Sequence, residues 1–464
     1  MQVVKCQAVT KTDKIKLFSE VTLRQFCDLY QWLGPRGWTA GVKKRQDKDG
    51  VDLSSEKTSE DKEVVAIVVH DFLTELCCSH KHGLNFFDKT MGTGTRNQNQ
   101  LLSHFLVLLV KKMDDLRICD LIISILCACP DQIKSVLNIL CPFLAPRWSE
   151  KWGSLMDWLV KLYSTLAETV QVNTSGDVHS VVSMATVFCL PPPKIAAIIV
   201  QSLKHEDVQV RHKSLQLVRV LAMKASSIHQ QLAKSNVNTS LAEESLLDVF
   251  TTNVLKTLPQ VTQIFMCVDR VSQKLSQGEK KQEEQDVDLS EHTVTILQVL
   301  SLYQNLSPTL ISDRPKDLAK LIEMVGHLQQ RESESTDEKM EVQTEAKDSD
   351  EEDEQTDEDT RWLPQLYLLK LLSETDARKI SLGREGLLEK LLTSASQSGY
   401  SKDLIISLIS KMLQSVEVLY GHGKELKIWL EAALRQGLKV TGSQPPQPNC
   451  AVFLARSLAT LINN

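Results

Sequence analysis

The chain has 464 residues, of which 42% are apolar, with only 18 glycines and 14 prolines, a composition that favours helices and suffices to bury a core. Its formal net charge of −6 conceals one tract, residues 331–360, where fifteen acidic residues stand against three basic ones, so the remainder is weakly basic. The small excess of basic residues outside this tract permits contact with RNA but does not indicate it. The longest apolar runs, residues 64–69 and 105–110, are far shorter than the roughly 18 to 20 residues of a membrane helix, so we expect a soluble protein without membrane contact.

The eleven cysteines are predicted to be free thiols. Several, such as Cys119, occur within apolar helical patterns, where a thiol behaves as a small apolar group. The odd count and the lack of a secretory signal favour a reducing compartment. No Cys-x-x-Cys pair occurs, and neither Cys77 with Cys78 nor Cys127 with Cys129 can converge on one zinc ion from a helix. We expect no metal and no cofactor.

The N-terminal part of the chain predicts a helical segment and then a charged loop. In residues 1–40, apolar residues recur at helical spacing over residues 21–33 and stop at Gly34-Pro35. Residues 41–62 are charged and nearly devoid of large apolar groups, so they predict a solvated loop. For the basic cluster Lys43-Lys44-Arg45 within it, a nuclear-localisation element and a plain solvated loop both remain open.

Residues 63–330 predict an armadillo-like helical-repeat domain, because helical patterns recur there between short turns. Asp114-Asp115 is placed to cap one of the helices, and Ser240 with Glu243 forms a capping box before another. The other predicted helices cover residues 63–79, 101–112, 116–129, 131–140, 150–170, 194–203, 208–224, 261–275, 289–306 and 316–329.

A mixture of basic and aromatic residues precedes the helix predicted near residue 149. Arg147, Trp148 and Lys151 supply the charges and the ring that neutralise and stack single-stranded RNA, with Trp152 close by. A structural alternative remains open, because Trp152 stands at core spacing and Trp148 can staple the start of the helix.

Residues 190–224 predict a helix, a tight turn and a second helix, as in a HEAT repeat. Asp207, Val210 and Arg211 form the Asp-x-x-Val-Arg spacing of such repeats. The carboxylate is placed to cap the second helix and the guanidinium to contact a neighbouring repeat. The second helix is apolar on two sides and needs neighbours on two sides, although an ordinary helical hairpin would also fit. The candidate residues for contact with RNA or a protein partner are Arg147, Trp148, Lys151, Lys204 and Lys213.

Residues 331–360 predict a disordered acidic insertion, because they cannot bury enough apolar surface to offset the entropy of ordering. Ser349 and Thr356 precede acidic residues, the context that casein-kinase-type enzymes accept, so both are predicted phosphorylation sites. Helical patterns resume afterwards, and residues 361–464 predict a helical continuation, either of the same solenoid or as a second lobe.

The sequence contains no motif that indicates an enzyme. It lacks a Gly-x-Ser-x-Gly elbow, a His-Glu-x-x-His pair, a complete phosphate-binding loop and a kinase motif set. Its histidines occur singly, which is typical of surface or satisfied core positions. We predict a protein that is not an enzyme and takes no small-molecule substrate.

Five stretches, spanning roughly residues 64–225, carry a resemblance to a known family. They are Gly83-Leu-Asn-Phe-Phe-Asp-Lys-Thr-Met-Gly-Thr-Gly94, Leu101-Leu-Ser-His-Phe-Leu106, Ala128-Cys-Pro-Asp131, Pro146-Arg-Trp-Ser-Glu-Lys-Trp152 and Val210-Arg-His-Lys-Ser-Leu215. In these stretches the chain resembles the N-terminal domain family of a large nucleolar ribosome-biogenesis factor with armadillo-like architecture.

This resemblance implies a nucleolar location and a scaffolding role in early precursors of the large ribosomal subunit, where 5.8S and large-subunit ribosomal RNA mature. The implied partners are pre-ribosomal RNA, early large-subunit assembly factors, small nucleolar ribonucleoproteins and a helicase-containing module. We therefore predict an all-α, irregular armadillo/HEAT-like solenoid with a disordered acidic insertion, acting as a non-catalytic scaffold. The alternative is a cytoplasmic helical-repeat adaptor that recognises only proteins.

Overall fold

A computed structural model gives the fold, and every regular element that it describes is a helix, which confirms the all-α prediction. It describes residues 9–32, 53–88, 91–92, 94, 98–167, 178–235, 243–277, 289–314, 316–328 and 363–375. The acidic tract and the helices predicted after residue 375 lie outside these ranges and remain predictions. Within the described ranges, no helix is both long and apolar enough to cross a bilayer.

The helices are named here in chain order. They are α1 (Lys11–Leu17), α2 (Glu20–Asp28), α3 (Leu53–Cys78), α4 (Gln100–Val110), α5 (Leu116–Ala128), α6 (Ile133–Leu140), α7 (Glu150–Thr165), α8 (Val178–Val187), α9 (Pro193–Leu203), α10 (Val208–Ser235), α11 (Glu243–Thr257), α12 (Val261–Gln277), α13 (Leu289–Leu306), α14 (Thr309–Ser312), α15 (residues 316–328) and α16 (Leu363–Glu374). Short 3-10 turns cover Leu29–Gln31, Pro130–Gln132 and Cys141–Leu144.

The described residues divide into two units. The first unit contains residues 9–145, 150–198 and 230–257, and the second contains residues 146–149, 199–229 and those from 258 onward.

In the first unit, helices α2 to α7 pack in two layers. Helix α2 packs against α4 and α4 against α6, whereas α3 packs against α5 and α5 against α7. Each of the helices α2 to α5 therefore contacts the helix two places further along the chain. Alternate packing of this kind is how helical repeats cover both sides of every helix, and it agrees with the predicted armadillo-like class.

Helix α5 shows why these residues form a buried helix. The Asp115 carboxylate accepts a 2.9 Å hydrogen bond from the backbone N–H of Arg117, so Asp115 caps the helix as predicted. Fully buried apolar side chains then recur at i, i+3, i+4, i+7 and i+8 along one broad face, each contributing roughly 1.5 to 3 kcal/mol of stabilisation. They are Ile118, Leu121, Ile122, Ile125 and Leu126.

Two helices are longer than the sequence patterns predicted. Helix α3 begins at Leu53, inside the predicted loop of residues 41–62, because residues 53–62 contain no glycine or proline and several strong helix formers. Helix α10 continues to Ser235 instead of ending near residue 224, because a buried apolar face extends through its last turns. That face consists of Ala225, Ile228 and Leu232.

Helix α13 is largely buried within the second unit, and its observed bounds are those predicted, residues 289–306. It packs against α12, α14 and α16. The Tyr303 hydroxyl donates to the Pro259 carbonyl at 2.7 Å, and Gln304 Nε2 donates to the Glu374 carbonyl at 3.3 Å. The first helix described after the acidic tract, α16, therefore packs on α13.

Candidate nucleic-acid interface

The turn between α9 and α10 holds two of the predicted repeat residues. The Asp207 carboxylate accepts a 2.7 Å hydrogen bond from the backbone N–H of Gln209, which confirms its predicted capping role. The Arg211 guanidinium donates to the carbonyl oxygens of His205 and Glu206 at 2.7 and 2.6 Å. Arg211 therefore closes the turn of its own hairpin.

Arg211 is buried, and burial lowers the pKa of its guanidinium. The sequence predicted a contact between this group and a neighbouring repeat. Its hydrogen bonds lie in its own turn, because a helical side chain leans toward the N-terminus of its helix. Arg270 of α12 also donates to the His205 carbonyl and so ties a second helix to this turn. The repeat-stacking role of Asp207, Val210 and Arg211 remains a prediction, although Val210 is fully buried.

The predicted RNA-contact residues occupy different environments. Arg147 is exposed and Trp148 is half-buried. Lys151 Nζ lies 3.3 Å from Asp114 Oδ1, but both side chains are more than four-fifths exposed, so this ion pair is weak. Trp152 is buried and its indole N–H donates to the Leu144 carbonyl at 3.2 Å. The structural alternative is therefore correct for Trp152.

The remaining candidate residues are Lys204, which is exposed, and Lys213, which is half-buried. Both belong to the second unit, as do Arg147 and Trp148, whereas Lys151 belongs to the first. Contact of these five residues with RNA or a partner stays a prediction. Ser349 and Thr356, the predicted phosphorylation sites, lie outside the described residues.

In the first unit, the loop of residues 79–88 presents a surface that was not among the predicted contact residues. The backbone N–H of Phe86 donates to Asn99 Oδ1 at 2.7 Å, and Asn99 Nδ2 donates back to the Phe86 carbonyl at 3.0 Å. Asn99 is buried and also donates to the Asp131 carboxylate at 3.1 Å. Both backbone polar groups of Phe86 are therefore fixed by one side chain.

The chain just after this loop requires a glycine at position 92. Gly92 has φ +80°, and a Cβ there would lie 2.8 Å from the Cα of Asp131. Its N–H donates to Asp88 Oδ2 at 3.0 Å. The glycine thus allows the chain to pass close to the turn that contains Asp131.

The Phe87 surface is defined here as the rings of Phe87 and His80 with the ammonium groups of Lys11 and Lys81. Phe87 is 59% exposed, and the His80 ring stands edge-on to it with the centroids 6.0 Å apart. Lys11 Nζ donates to the Asn85 carbonyl at 2.6 Å, and Lys81 is exposed. Two adjacent phenylalanines, Phe86 and Phe87, are expected from sequence to be buried in the core. No sequence signal therefore indicated that the Phe87 ring is exposed.

The cysteines at the ends of α3 and α5 are free thiols, with Cys129 buried and Cys78 half-buried. Burial raises the pKa of both Cys78 and Cys129 to about 12, so these thiols stay protonated and are poor nucleophiles and ligands. Among the residues that the structure describes, no group of three or more His, Cys, Asp or Glu side chains is arranged to hold a metal ion.

Two histidines meet inside the second unit. The Nδ1 atoms of His212 and His292 lie 3.4 Å apart, and His292 is fully buried with no hydrogen-bond partner at its Nε2. Burial lowers the pKa of His212 and lowers that of His292 to about 3. Other charged groups that act on the pair are Glu291, Lys213, Arg219, Arg211 and Lys274. Both rings are therefore neutral near neutral pH.

Comparisons with known proteins agree with the resemblance seen in the sequence. Residues 1–155 match the family model described as Npa1: Ribosome 60S biogenesis N-terminal. Over its whole length the chain is 27% identical to the nucleolar pre-ribosomal-associated protein 1 of Homo sapiens, of which it covers 20%. It is also 26% identical, over 69% of its length, to the protein of the same name from Mus musculus, of which it covers 15%. These matches confirm the predicted resemblance.

The chain thus spans about a fifth or less of the length of the curated relatives that it matches. No solved structure matches the chain significantly.

Proposed function

We propose that this chain acts in the assembly of the large ribosomal subunit, as a non-catalytic helical scaffold in the nucleolus. The observation that carries the proposal is the match of residues 1–155 to a 60S biogenesis family. Similarity along the whole chain to nucleolar pre-ribosomal-associated proteins supports it. The scaffold supports maturation of 5.8S and large-subunit ribosomal RNA.

The mechanism is positional. Helices stacked in two layers, as α2 to α7 are, place successive turns and helix faces side by side along one surface. Such a surface can hold several partners at once without making or breaking a covalent bond. The partners are pre-ribosomal RNA, early large-subunit assembly factors, small nucleolar ribonucleoproteins and a helicase-containing module.

Depletion with rescue tests this function. Removal of the protein from its own cells should cause early precursors of large-subunit ribosomal RNA to accumulate, measured by hybridisation, and should lower the ratio of large to small subunits on a gradient. Precursors of the small-subunit RNA serve as an internal control, and re-expression of the protein should restore the pattern. Unchanged large-subunit RNA processing would refute the proposal.

Microscopy separates the proposal from a cytoplasmic adaptor that binds only proteins. The tagged protein should coincide with a nucleolar marker, whereas an adaptor would stay in the cytoplasm. A cytoplasmic signal with normal ribosomal RNA would favour the adaptor.

A further inference from the structure

The Phe87 ring is held in solvent by its neighbours along the chain. Leu84 and Asn85 are buried, and the backbone of Phe86 is fixed by two hydrogen bonds to Asn99. With the preceding residues anchored in this way, Phe87 projects outward and remains 59% exposed. Burying a phenylalanine side chain would gain roughly 1.5 to 3 kcal/mol, so an exposed and preorganised ring suggests a role in binding.

The N-terminal helix anchors the same loop with lysines. Lys11 Nζ donates to the Asn85 carbonyl and lies 5.1 Å from the centroid of the Phe86 ring. Lys14 Nζ donates to the His82 carbonyl at 3.0 Å. These contacts bring two ammonium groups from α1 to the segment that carries Phe87.

Lysines outnumber carboxylates in the two segments that meet at the Phe87 surface, residues 10–16 and 79–88. Lys81 is exposed, Lys11 is half-buried, and Lys14 is buried beneath the loop. The two carboxylates of these segments accept local hydrogen bonds, Asp88 from the Gly92 N–H and Asp13 from Thr10, so they are fewer than the lysines but still carry charge. The surface therefore combines an exposed ring, an edge-on imidazole and a surplus of ammonium groups.

We propose that the Phe87 surface binds single-stranded RNA, with one unpaired base stacked on the Phe87 ring and the neighbouring phosphates paired with lysine ammonium groups. Sequence-tolerant binding of single strands uses this combination of aromatic platforms and cations. A duplex keeps its bases stacked inside the helix and cannot offer one to the ring. The inference rests on the proposed function, because it names the partner class and the site that a pre-ribosomal scaffold would use.

A protein partner fits this surface less well. Protein-docking sites are contiguous apolar patches whose centres are depleted in lysine. Here the exposed apolar group is a single ring beside the His80 imidazole, in a segment that also carries the exposed Lys81. Cations at the rim match phosphates better than they match an apolar helix.

Substitution of Phe87 in the full chain tests the site, with binding to a single-stranded oligouridine 12-mer measured by fluorescence anisotropy. Phe87→Ala should weaken binding by roughly 5-fold to 100-fold, the range for loss of one stacked base. Phe87→Leu keeps an apolar side chain but removes the aromatic face, so it should weaken binding nearly as much. Phe87→Trp should retain or improve binding. Lys81→Ala should weaken it more modestly and reduce its dependence on salt.

Phe143→Ala is the matched control, because Phe143 is also exposed on the first unit, at 66%, outside the Phe87 surface. It should leave RNA affinity unchanged, and a thermal unfolding curve should show that all variants are folded. Equal affinity of Phe87→Ala and the unaltered chain would overturn the inference. Full RNA binding by Phe87→Leu would also overturn the inference. So would a Phe87→Ala variant that loses a co-purifying protein but retains RNA.

The outcomes separate this inference from the proposed function. If Phe87→Ala binds RNA normally but depletion still impairs large-subunit RNA processing, the site is wrong and the function stands. If Phe87→Ala loses RNA in vitro yet depletion leaves ribosomal RNA processing unchanged, the site is correct and the function is wrong.

Discussion

Arg211 shows how one charged residue serves the fold. Its guanidinium is buried at the turn between α9 and α10, where it donates hydrogen bonds to the backbone carbonyls of His205 and Glu206. A buried carbonyl without a partner is costly, and a hydrogen bond from a charged donor contributes about 1.5 to 3 kcal/mol. The position of Arg211 in the Asp-x-x-Val-Arg spacing thus has a local physical reason, closure of the hairpin turn.

We predict that Arg211→Met lowers the free energy of unfolding by about 2 to 3 kcal/mol, because the stem is kept while the donors are lost. Chemical denaturation followed by circular dichroism measures the change. Lys204→Met is the control, since Lys204 is an exposed residue of the same turn and its replacement should alter stability by no more than about 0.5 kcal/mol. Equal stability of the two variants would contradict the role given to Arg211.

The burial of His292 beside His212 predicts how the free energy of unfolding depends on pH. With the pKa of His292 lowered to about 3 from an ordinary value of 6.5, the unfolded chain binds more protons than the folded one between these values. Stability from this group is fully present above pH 6.5 and is lost as the pH falls toward 3. His292→Leu should therefore flatten the fall in unfolding free energy by up to about 1.4 kcal/mol per pH unit in that window.

Denaturation midpoints measured at intervals between pH 4.5 and 7.5 test this prediction. Thr293→Val is the control, because Thr293 is an equally buried neighbour that cannot titrate, and its hydroxyl has no hydrogen-bond partner. It should shift the curve without changing its slope. A slope in His292→Leu identical to that of the unaltered chain would show that His292 does not titrate on unfolding.

At the scale of an element, the loop of residues 79–88 depends on the side-chain amide of Asn99. Asn99 both accepts from and donates to the Phe86 backbone, and it donates to Asp131. Asn99→Asp should keep an oxygen that accepts from the Phe86 N–H, but it should lose the hydrogen bonds donated to the Phe86 carbonyl and to Asp131. It also places a second carboxylate beside that of Asp131. We predict faster amide hydrogen exchange at Phe86 and Gly92, with α7 unaffected. Unchanged exchange in the loop would contradict this account.

The boundaries of several elements could be predicted because their signals are local. Helix α5 begins directly after its capping residue Asp115, and α13 ends before Ser307-Pro308. Helix α8 was missed, because its ten residues include serine, threonine and histidine and its burial depends on packing against α11. The pattern of one segment does not contain that contact.

At the scale of the whole molecule, the helical class follows from composition and periodicity, whereas the candidate binding surface does not. Trp152 and Phe87 illustrate the difference. The structure buries Trp152, which stood among basic residues in sequence, and exposes Phe87, which stood beside another phenylalanine. Tertiary contacts decide whether each ring is buried or exposed. Trp152 is fixed by its hydrogen bond to the Leu144 carbonyl, and Phe87 is oriented by the hydrogen bonds of the preceding residue, Phe86, to Asn99. Sequence patterns could identify aromatic residues near cations, but could not decide which ring faces solvent.

We propose that this helical scaffold holds ribosomal RNA precursors during assembly of the large subunit. Ultraviolet crosslinking of the protein in cells, followed by sequencing of the attached RNA, tests it most directly. We predict sequence reads concentrated in large-subunit precursor RNA and reduced by Phe87→Ala but not by Phe143→Ala. Recovery of no ribosomal RNA above background from the unaltered protein would contradict the account.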